Sequence, residues 1–513
     1  MKEKLILNKK NIVNVFLLIL IFALASVFVY INLVQYKSGL NADVASEGLL
    51  AKIIWESKEW IPKEWYVGNE LRLLSTVNFA ALFYGITKNI CLSMGLACVI
   101  AGAFVIGGAA YLCKEMNFST TQKLLLVLLI MMLPNSKVQI ELMYIYAGYY
   151  AFHIGTYFVT MAVYLKMLKK KKVSKITIAV TFLLHFIIGA QGVRGILMIT
   201  GPLMAAEVLR RAYAWWSSRE WKDGNNVITG FVLLLNVLEY VGGKFPNSVG
   251  HSLSRNIRKA PQKLFEVVLP DFLRTLNWDN IPTREKMIFA ICLCLVIYLA
   301  ISIVVRGIRK KGVTEEEWIF MNFFVSVVLT GAALTFTTSE SSARYFVAVY
   351  FAIAMSLVML IGKKNIIYNH GLVLAIAVLL LGNYKRNYYP MVMDNSYKNS
   401  DYVQVGEYLL QEGYEMAYAD FERANTITVY NDGKIQVAAV NSFTNMEVCK
   451  CLSSQKWYVP NVPKESKTAY IVSPYRMPEM EEFLKGHPEV ELKTQIGIYS
   501  IYGSDYNYSK LTD

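Results

Sequence analysis

The sequence predicts a polytopic α-helical membrane protein of about eleven spans, N-terminus inside and C-terminus outside, with a small C-terminal α/β domain on the exterior. Three observations predict it. Of 513 residues, 55% are hydrophobic and only 18% charged, against roughly 45–50% and about 25% in ordinary soluble chains. The apolar residues run in long, nearly uncharged tracts, and about 20 such residues cross the ~30 Å of a bilayer's hydrocarbon core. Short, dense basic runs separate these tracts. A disordered chain, a collagen-like fibre and a disulfide-stapled secreted domain are all excluded.

The first tract, residues 11–36, follows the basic start MKEKLILNKK. It lacks the short apolar core and small-residue cleavage site of a signal peptide, so a retained helix is expected. Further spans are expected near residues 89–112, 124–140, 146–165, 176–190, 195–210, 226–243, 287–305, 318–337, 345–362 and 365–383. Lys and Arg are held on the cytoplasmic side. With the N-terminus inside, the inner loops are 1–11, 113–123, 166–175, 207–223, 306–317 and 363–364. They carry 22 Lys and Arg against 8 Asp and Glu, and the remainder of the chain balances at 30 of each. The whole net charge of +14 therefore falls on one face. The pI of 9.2 reflects topology, and no nucleic-acid partner is expected.

This arrangement places a multi-pass domain at residues 1–384 in the cell (plasma) membrane. Its long exterior loops are 37–80 and 244–286, and residues 385–513 form an extracytoplasmic soluble domain. Cys449 and Cys451, in the sequence CKC, have no nearby metal ligands and are spaced for a strained disulfide at best. No metal-binding residues, HExxH, GxxxxGK[ST] or nucleotide-binding GxGxxG are present. His153 and His185 lie in spans without partners at metal-ligand spacing.

The first exterior loop reads LNADVASEGLLAKIIWESKEWIPKEWYVGNELRLLS. Val44, Leu49, Leu50, Ile53 and Ile54 form an apolar helical stripe, with Asp43 at its start and Glu47 one turn on. Asp43 has two readings: a helix cap for free backbone N–H groups, or a catalytic acid held at the membrane's outer edge. Trp55, Trp60, Trp65 and Tyr66 are expected to settle at headgroup depth.

The setting NADVASEG followed by IPKEWYVGNEL resembles the first exterior loop of bacterial GT-C glycosyltransferases, which take sugars from polyprenyl-phosphate carriers. The match covers residues 30–75, and the rest by topology. The resemblance implies a GT-C fold and makes Asp43 the general base on the acceptor hydroxyl. A second adjacent acid found in some members is absent, since Ala42 and Val44 flank Asp43. Divalent-metal dependence stays open, and no tightly bound cofactor is expected.

Transfer from a lipid phosphate also needs a cation at the leaving group, preferably an arginine fork. Arg344 and Arg194 stand at outer span ends. Each is a donor-phosphate ligand or, alternatively, snorkels to headgroups, with Glu340 a further partner for Arg344. The pair Arg344–Tyr345 resembles an Arg–Tyr pair that GT-C members use on the carrier phosphate, which adds Tyr345. Glu47, Tyr66, Asn69, Glu70, His251 and Arg255 are further candidate substrate contacts. Residues 251–259 read as a basic helical face, followed by the apolar LFEVVLPDFL.

After residue 384, YVQVGEYLLQEGY and MPEMEEFLKG read as helices. MAYADF, KIQVAAV and TAYIVS read as strands, with a turn at Asp432–Gly433. The stretch YADFERANTITVYNDGKIQVAAV is similar to the tail of certain GT-C-like membrane proteins. Its Asp420–Phe421–Glu422 is not read as a nucleotide-sugar metal motif. The expected partners are a polyprenyl-phosphate-linked sugar donor, membrane lipids, and a glycan, lipid or protein acceptor of the cell envelope. The competing readings are a lipid-linked glycan transporter or flippase, and an envelope polysaccharide polymerase or ligase.

Overall fold

The computed structural model describes residues 2–68, 70–218, 226–244, 254–361 and 366–511. Asn69, His251, the inner loop 363–364 and parts of the loops 207–223 and 244–286 lie outside the described residues. In chain order the helices are α1 Lys2–Leu33, α2 Ala42–Ser57, α3 Thr76–Thr87, α4 Ile90–Glu115, α5 Thr120–Met132, α6 Lys137–Met143, α7 Ala151–Leu168 and α8 Lys175–Gln191. They continue with α9 Gly201–Ser218, α10 Asn226–Gly242, α11 Ala260–Lys263, α12 Leu269–Thr275, α13 Thr283–Ile308, α14 Glu315–Phe336, α15 Ala348–Leu360, α16 Ile366–Asn383 and α17 Tyr389–Met393. In the C-terminal region α18 Asp401–Gln411, α19 Phe421–Tyr430 and α20 Met477–Gly486 accompany six strands.

The chain is a multi-pass membrane protein. Among the described residues, six helical segments are long and apolar enough to cross a bilayer: Asn11–Leu33, Ile90–Glu115, Ala151–Leu168, Thr283–Ile308, Glu315–Phe336 and Ala343–Leu360. Helices α8 and α10, with 17 residues each, rise about 25 Å at 1.5 Å per residue, the lower end of what crosses the hydrocarbon core.

The expected span at 124–140 is not continuous. Helices α5 and α6 meet at a bend of 118°, because Pro134 has no N–H to continue the ladder. The carbonyls freed at the break are collected by asparagines: Asn383 Nδ2 donates to Pro134 O at 2.7 Å, and Asn277 and Asn387 Nδ2 donate to Asn135 O at 2.7 and 3.2 Å. Broken backbone at membrane depth survives only with such internal partners. Arg386 joins the same cluster through Asn135 Oδ1 and the buried Glu285 carboxylate.

Two compact units are present. One comprises Met1–Phe28, Ala101–Tyr144 and Gly148–Pro390. Its core includes the edge-packed rings of Tyr157, Phe158, Phe323 and Phe351. The other comprises Val29–Ile100, Ile145–Ala147 and Met391–Asp513, so the first exterior loop and the C-terminal region share one body. In this second unit α4 approaches α1 at Gly95, where a Cβ would clash with the Asn32 carbonyl.

The strands of the second unit are β1 Met416–Asp420, β2 Val437–Ser442, β3 Glu447–Val448, β4 Thr468–Val472, β5 Glu491–Ile496 and β6 Tyr499–Ser504. They form one sheet in the order β3-β2-β1-β4-β6-β5, with β2, β1 and β4 mutually parallel and the edges antiparallel. Side chains alternate to opposite faces of each strand. One face packs Ala417 and Ala419 against Val405 and Leu409 of α18 and Ile427 of α19. The other packs Tyr418 and Tyr470 against Met480 and Phe483 of α20. The expected turn at Asp432–Gly433 is present, both residues having positive φ. Helix α19 packs on α2, and Lys37 pairs with Asp432 at 3.1 Å.

Candidate active site

Helix α2 presents the expected acid of the second unit. Its cap is Asn41, whose Oδ1 accepts from the Val44 N–H at 2.9 Å, which corrects the capping role considered for Asp43. Both residue types cap well, and the one immediately before the first helical turn takes the task. Asp43 lies inside the first turn, half-buried, where exposed N–H groups favour a negative charge. Among the described residues its carboxylate has no hydrogen-bond or ion-pair partner. Burial and, secondarily, the nearby Asp43 carboxylate push the Cys451 thiol above its ordinary value. Cys449 and Cys451 are both free thiols.

Glu47, expected to meet substrate, is instead buried and committed to Arg72. The Arg72 Nε–H donates to both carboxylate oxygens at 3.0 Å, and Nη2 donates to Oε1 at 2.5 Å. Glu70, also buried, lies 3.7 Å from Arg72 Nη1. Two buried carboxylates require a counter-cation. Arg72 meets that requirement, and it was not singled out in the sequence.

Beside this pair is a shallow cleft lined by Leu50, Ile54, Trp60, Pro62, Trp65 and Leu452, with Glu47, Glu70 and Arg72 among its walls. An apolar groove with a few fixed polar groups suits an amphipathic ligand. The loop closing it runs beside 452–455. Tyr66 N donates to Ser453 O at 2.8 Å, Leu452 N to Tyr66 O at 2.9 Å and Gln455 N to Glu64 O at 2.8 Å. Trp65 is 5% exposed and meets Trp457 edge to face, so it is core of this unit rather than a headgroup anchor. Tyr66 is half-buried, its backbone spent on this pairing.

The first unit carries the expected cations. Arg194 follows α8 in a turn opened by Gly192, and its guanidinium stacks 4.0 Å over the Tyr150 ring. The turn rests on a buried polar chain. Thr160 Oγ1 meets His185 Nε2 at 2.8 Å, His185 Nδ1 meets Glu239 Oε1 at 2.6 Å, and Thr200 Oγ1 donates to Glu239 Oε2 at 2.6 Å. A Cβ at Gly195 would stand 3.0 Å from the Glu239 carboxyl. His185, uninformative in sequence, is thus a partner of an acid 54 residues away.

Arg344 is the second residue of the short turn Ala343–Phe346. That turn is pinned at the Ala343 carbonyl, which accepts from Gln139 Nε2 at 3.0 Å and Thr275 Oγ1 at 2.9 Å. The Arg344 side chain is exposed, and among the described residues it has no ion pair, with Glu340 or otherwise. Tyr345 is half-buried against Val268, Leu334 and Phe346.

Residues 254–257 are not helical as expected but extended, because N–H and C=O groups at 254–256 pair with the chain just past α14. Arg255 bridges Thr337, Asn256 N donates to Phe336 O at 2.9 Å, and Thr338 N donates to Ser254 O at 3.0 Å. Lys263, not singled out in sequence, donates to Thr337 O at 2.7 Å and Ser339 O at 2.5 Å. Burial lowers its pKa. The Arg255 side chain stays exposed. Asn69 and His251 fall outside the described residues. Among the described residues no group of three His, Cys, Asp or Glu side chains is placed to hold a metal ion.

No protein-family model and no curated protein sequence matches this chain. Among solved structures it is similar to ArnT from Cupriavidus metallidurans bound to undecaprenyl phosphate, with a TM-score of 0.53 and 11% identity over 95% of this chain and 97% of that one. The same ArnT in the apo state aligns at a TM-score of 0.44 and 12% identity over the same shares. Nearly full coverage of both chains by the first of these shows a shared fold, membrane helices and C-terminal region included. The chain therefore shares the fold of that ArnT.

Proposed function

We propose that the protein is an integral-membrane glycosyltransferase that moves a sugar from a polyprenyl-phosphate carrier to a glycan, glycolipid or protein acceptor of the cell envelope, on the outer face. The observation that carries the proposal is the fold, matched along 95% of the chain to an ArnT whose structure holds undecaprenyl phosphate. The proposed topology has about eleven spans in the plasma membrane, the N-terminus inside and residues 385–513 extracytoplasmic.

In the proposed reaction the acceptor hydroxyl attacks the anomeric carbon while the bond from that carbon to the phosphate oxygen breaks. Inversion follows from a single displacement. The acceptor proton passes to Asp43, which is half-buried, ionisable and unspent on capping. The electron pair leaves with polyprenyl phosphate, whose charge Arg344 meets with a planar fork, Tyr345 and Arg194 assisting. Arg344 suits that task because its turn is fixed through Ala343 while its guanidinium has no ion pair among the described residues. Glu47 and Arg72 hold the base's helix against the apolar cleft.

Asp43→Asn, assayed for transfer from a polyprenyl-phosphate sugar, is the test. Loss of transfer with an unchanged unfolding temperature is expected; a wild-type rate would remove the base role.

A further inference from the structure

The C-terminal sheet has a topological switch point that the transfer reaction does not use. From β1 the chain passes through α19 to β2 on one side, whereas β4 lies on the other side of β1 and leads to α20 on the opposite face. In open sheets of this kind ligands bind outside the carboxyl ends of the parallel strands, where the strand order diverges.

Six side chains converge there. Asp420 ends β1, 2% exposed. Its Oδ2 accepts from Ser473 Oγ, just past β4, at 3.1 Å, and its Oδ1 accepts from Arg423 Nη1 at 3.0 Å. The same Nη1 donates to the Tyr475 hydroxyl at 2.8 Å. The Tyr475 ring is 55% exposed and is flanked by the guanidiniums of Arg423 and Arg476, at 5.2 and 5.4 Å. Arg476 pairs with Glu479, whose other oxygen accepts from the Phe443 N–H at 2.9 Å.

An exposed aromatic face braced by two cations, above alternating carboxylates and guanidiniums, is not needed for the sheet's stability. The sheet already has a full core on both faces. The chemistry also selects among ligands. A phosphate would seek the N-terminus of α19, but the buried Asp420 carboxylate is fixed there, and no glycine-rich turn joins β1 to α19. The two acids and two arginines balance in charge, which disfavours an anion. A neutral sugar fits: its hydroxyls donate to the Glu479 carboxylate and accept from guanidinium N–H groups, each with more donors than its protein partners use. Its C–H face lies on the ring.

We infer that this switch point is a saccharide-binding site, with Tyr475 as platform and Arg423, Arg476 and Glu479 as hydroxyl readers held in place over the buried Asp420, which holds the acceptor glycan. Only the word acceptor rests on the glycosyltransferase reading, because binding is measured without donor or transfer.

The experiment uses the full chain in nanodiscs and saturation-transfer NMR with three probes: a β-1,4-linked N-acetylglucosamine tetramer, maltotetraose and mannotetraose. At least one probe is expected to bind. Tyr475→Ala, a surface change, is expected to weaken that binding about tenfold, and Tyr475→Phe to weaken it less. Inorganic phosphate is expected not to compete. No binding by any probe, binding indifferent to Tyr475→Ala, or displacement by phosphate would overturn the inference. Each of these leaves the transfer assay free to succeed or fail by itself.

Discussion

Arg72 grips both carboxylate oxygens of Glu47, while Asp43, one turn earlier on the same helix, has no partner among the described residues. Two acids four residues apart thus have opposite assignments. One is sealed by a cation and serves the fold; the other is left available.

This difference predicts stability first. Arg72→Ala strands a buried carboxylate and is expected to cost about 3 kcal/mol, read as a lower unfolding temperature in detergent. Replacing both partners, Glu47→Leu with Arg72→Leu, should recover most of it. If Arg72→Ala unfolds at the wild-type temperature, the pair contributes nothing.

Chemistry comes second. Asp43→Asn is expected to lower transfer by about 10²–10⁴-fold, the usual range for a lost general base, without a change in unfolding temperature. The same substitution should speed alkylation of Cys451, because the carboxylate is one cause of that thiol's raised pKa. An unchanged alkylation rate would separate the two residues.

Arg344→Ala is expected to lower turnover about 10²-fold and to raise the donor KM, with Arg344→Lys between it and wild type, since an ammonium supplies charge without the fork. Equal activity in all three forms would free Arg344 of any role at the phosphate.

Acid sensitivity of the C-terminal region follows from Glu479. Burial works to raise its carboxyl, but hydrogen bonds from Arg476 and the Phe443 N–H outweigh that and hold it below the ordinary 4.5. A depressed folded value stabilises above the unfolded pKa and is lost as pH falls through the folded one. Unfolding temperature should therefore decline on acidification below about pH 4.5, and Glu479→Gln should flatten that decline. A steeper decline in the variant would reverse the sign.

Much of the membrane helix content was legible because long uncharged tracts have one physical outcome. The strands expected in MAYADF, KIQVAAV and TAYIVS, the second of which runs two residues further to Ser442, and the Asp432–Gly433 turn were equally plain. Helix α19 was hidden because FERANTITVY is rich in β-branched residues that favour strands, and its packing on α2 overrides that preference. The β5–β6 hairpin was missed because ELKTQI is largely exposed at the sheet edge and shows little apolar alternation. Asp43 was singled out by its motif and Arg344 by its position, and both roles remain proposals. Arg72, Lys263 and the His185–Glu239 pair were not found, since each meets its partner across 25 to 76 residues and no local pattern records such pairings. The break at Pro134 was overlooked because hydropathy averages through a single proline.

The most direct measurement is mass spectrometry of lipid retained by the purified protein. A polyprenyl monophosphate, free or bearing one sugar, is expected with the wild type and depleted in Arg344→Ala. Retention of an oligosaccharide diphosphate instead, or of monophosphate lipid in equal amount by Arg344→Ala, would contradict the account.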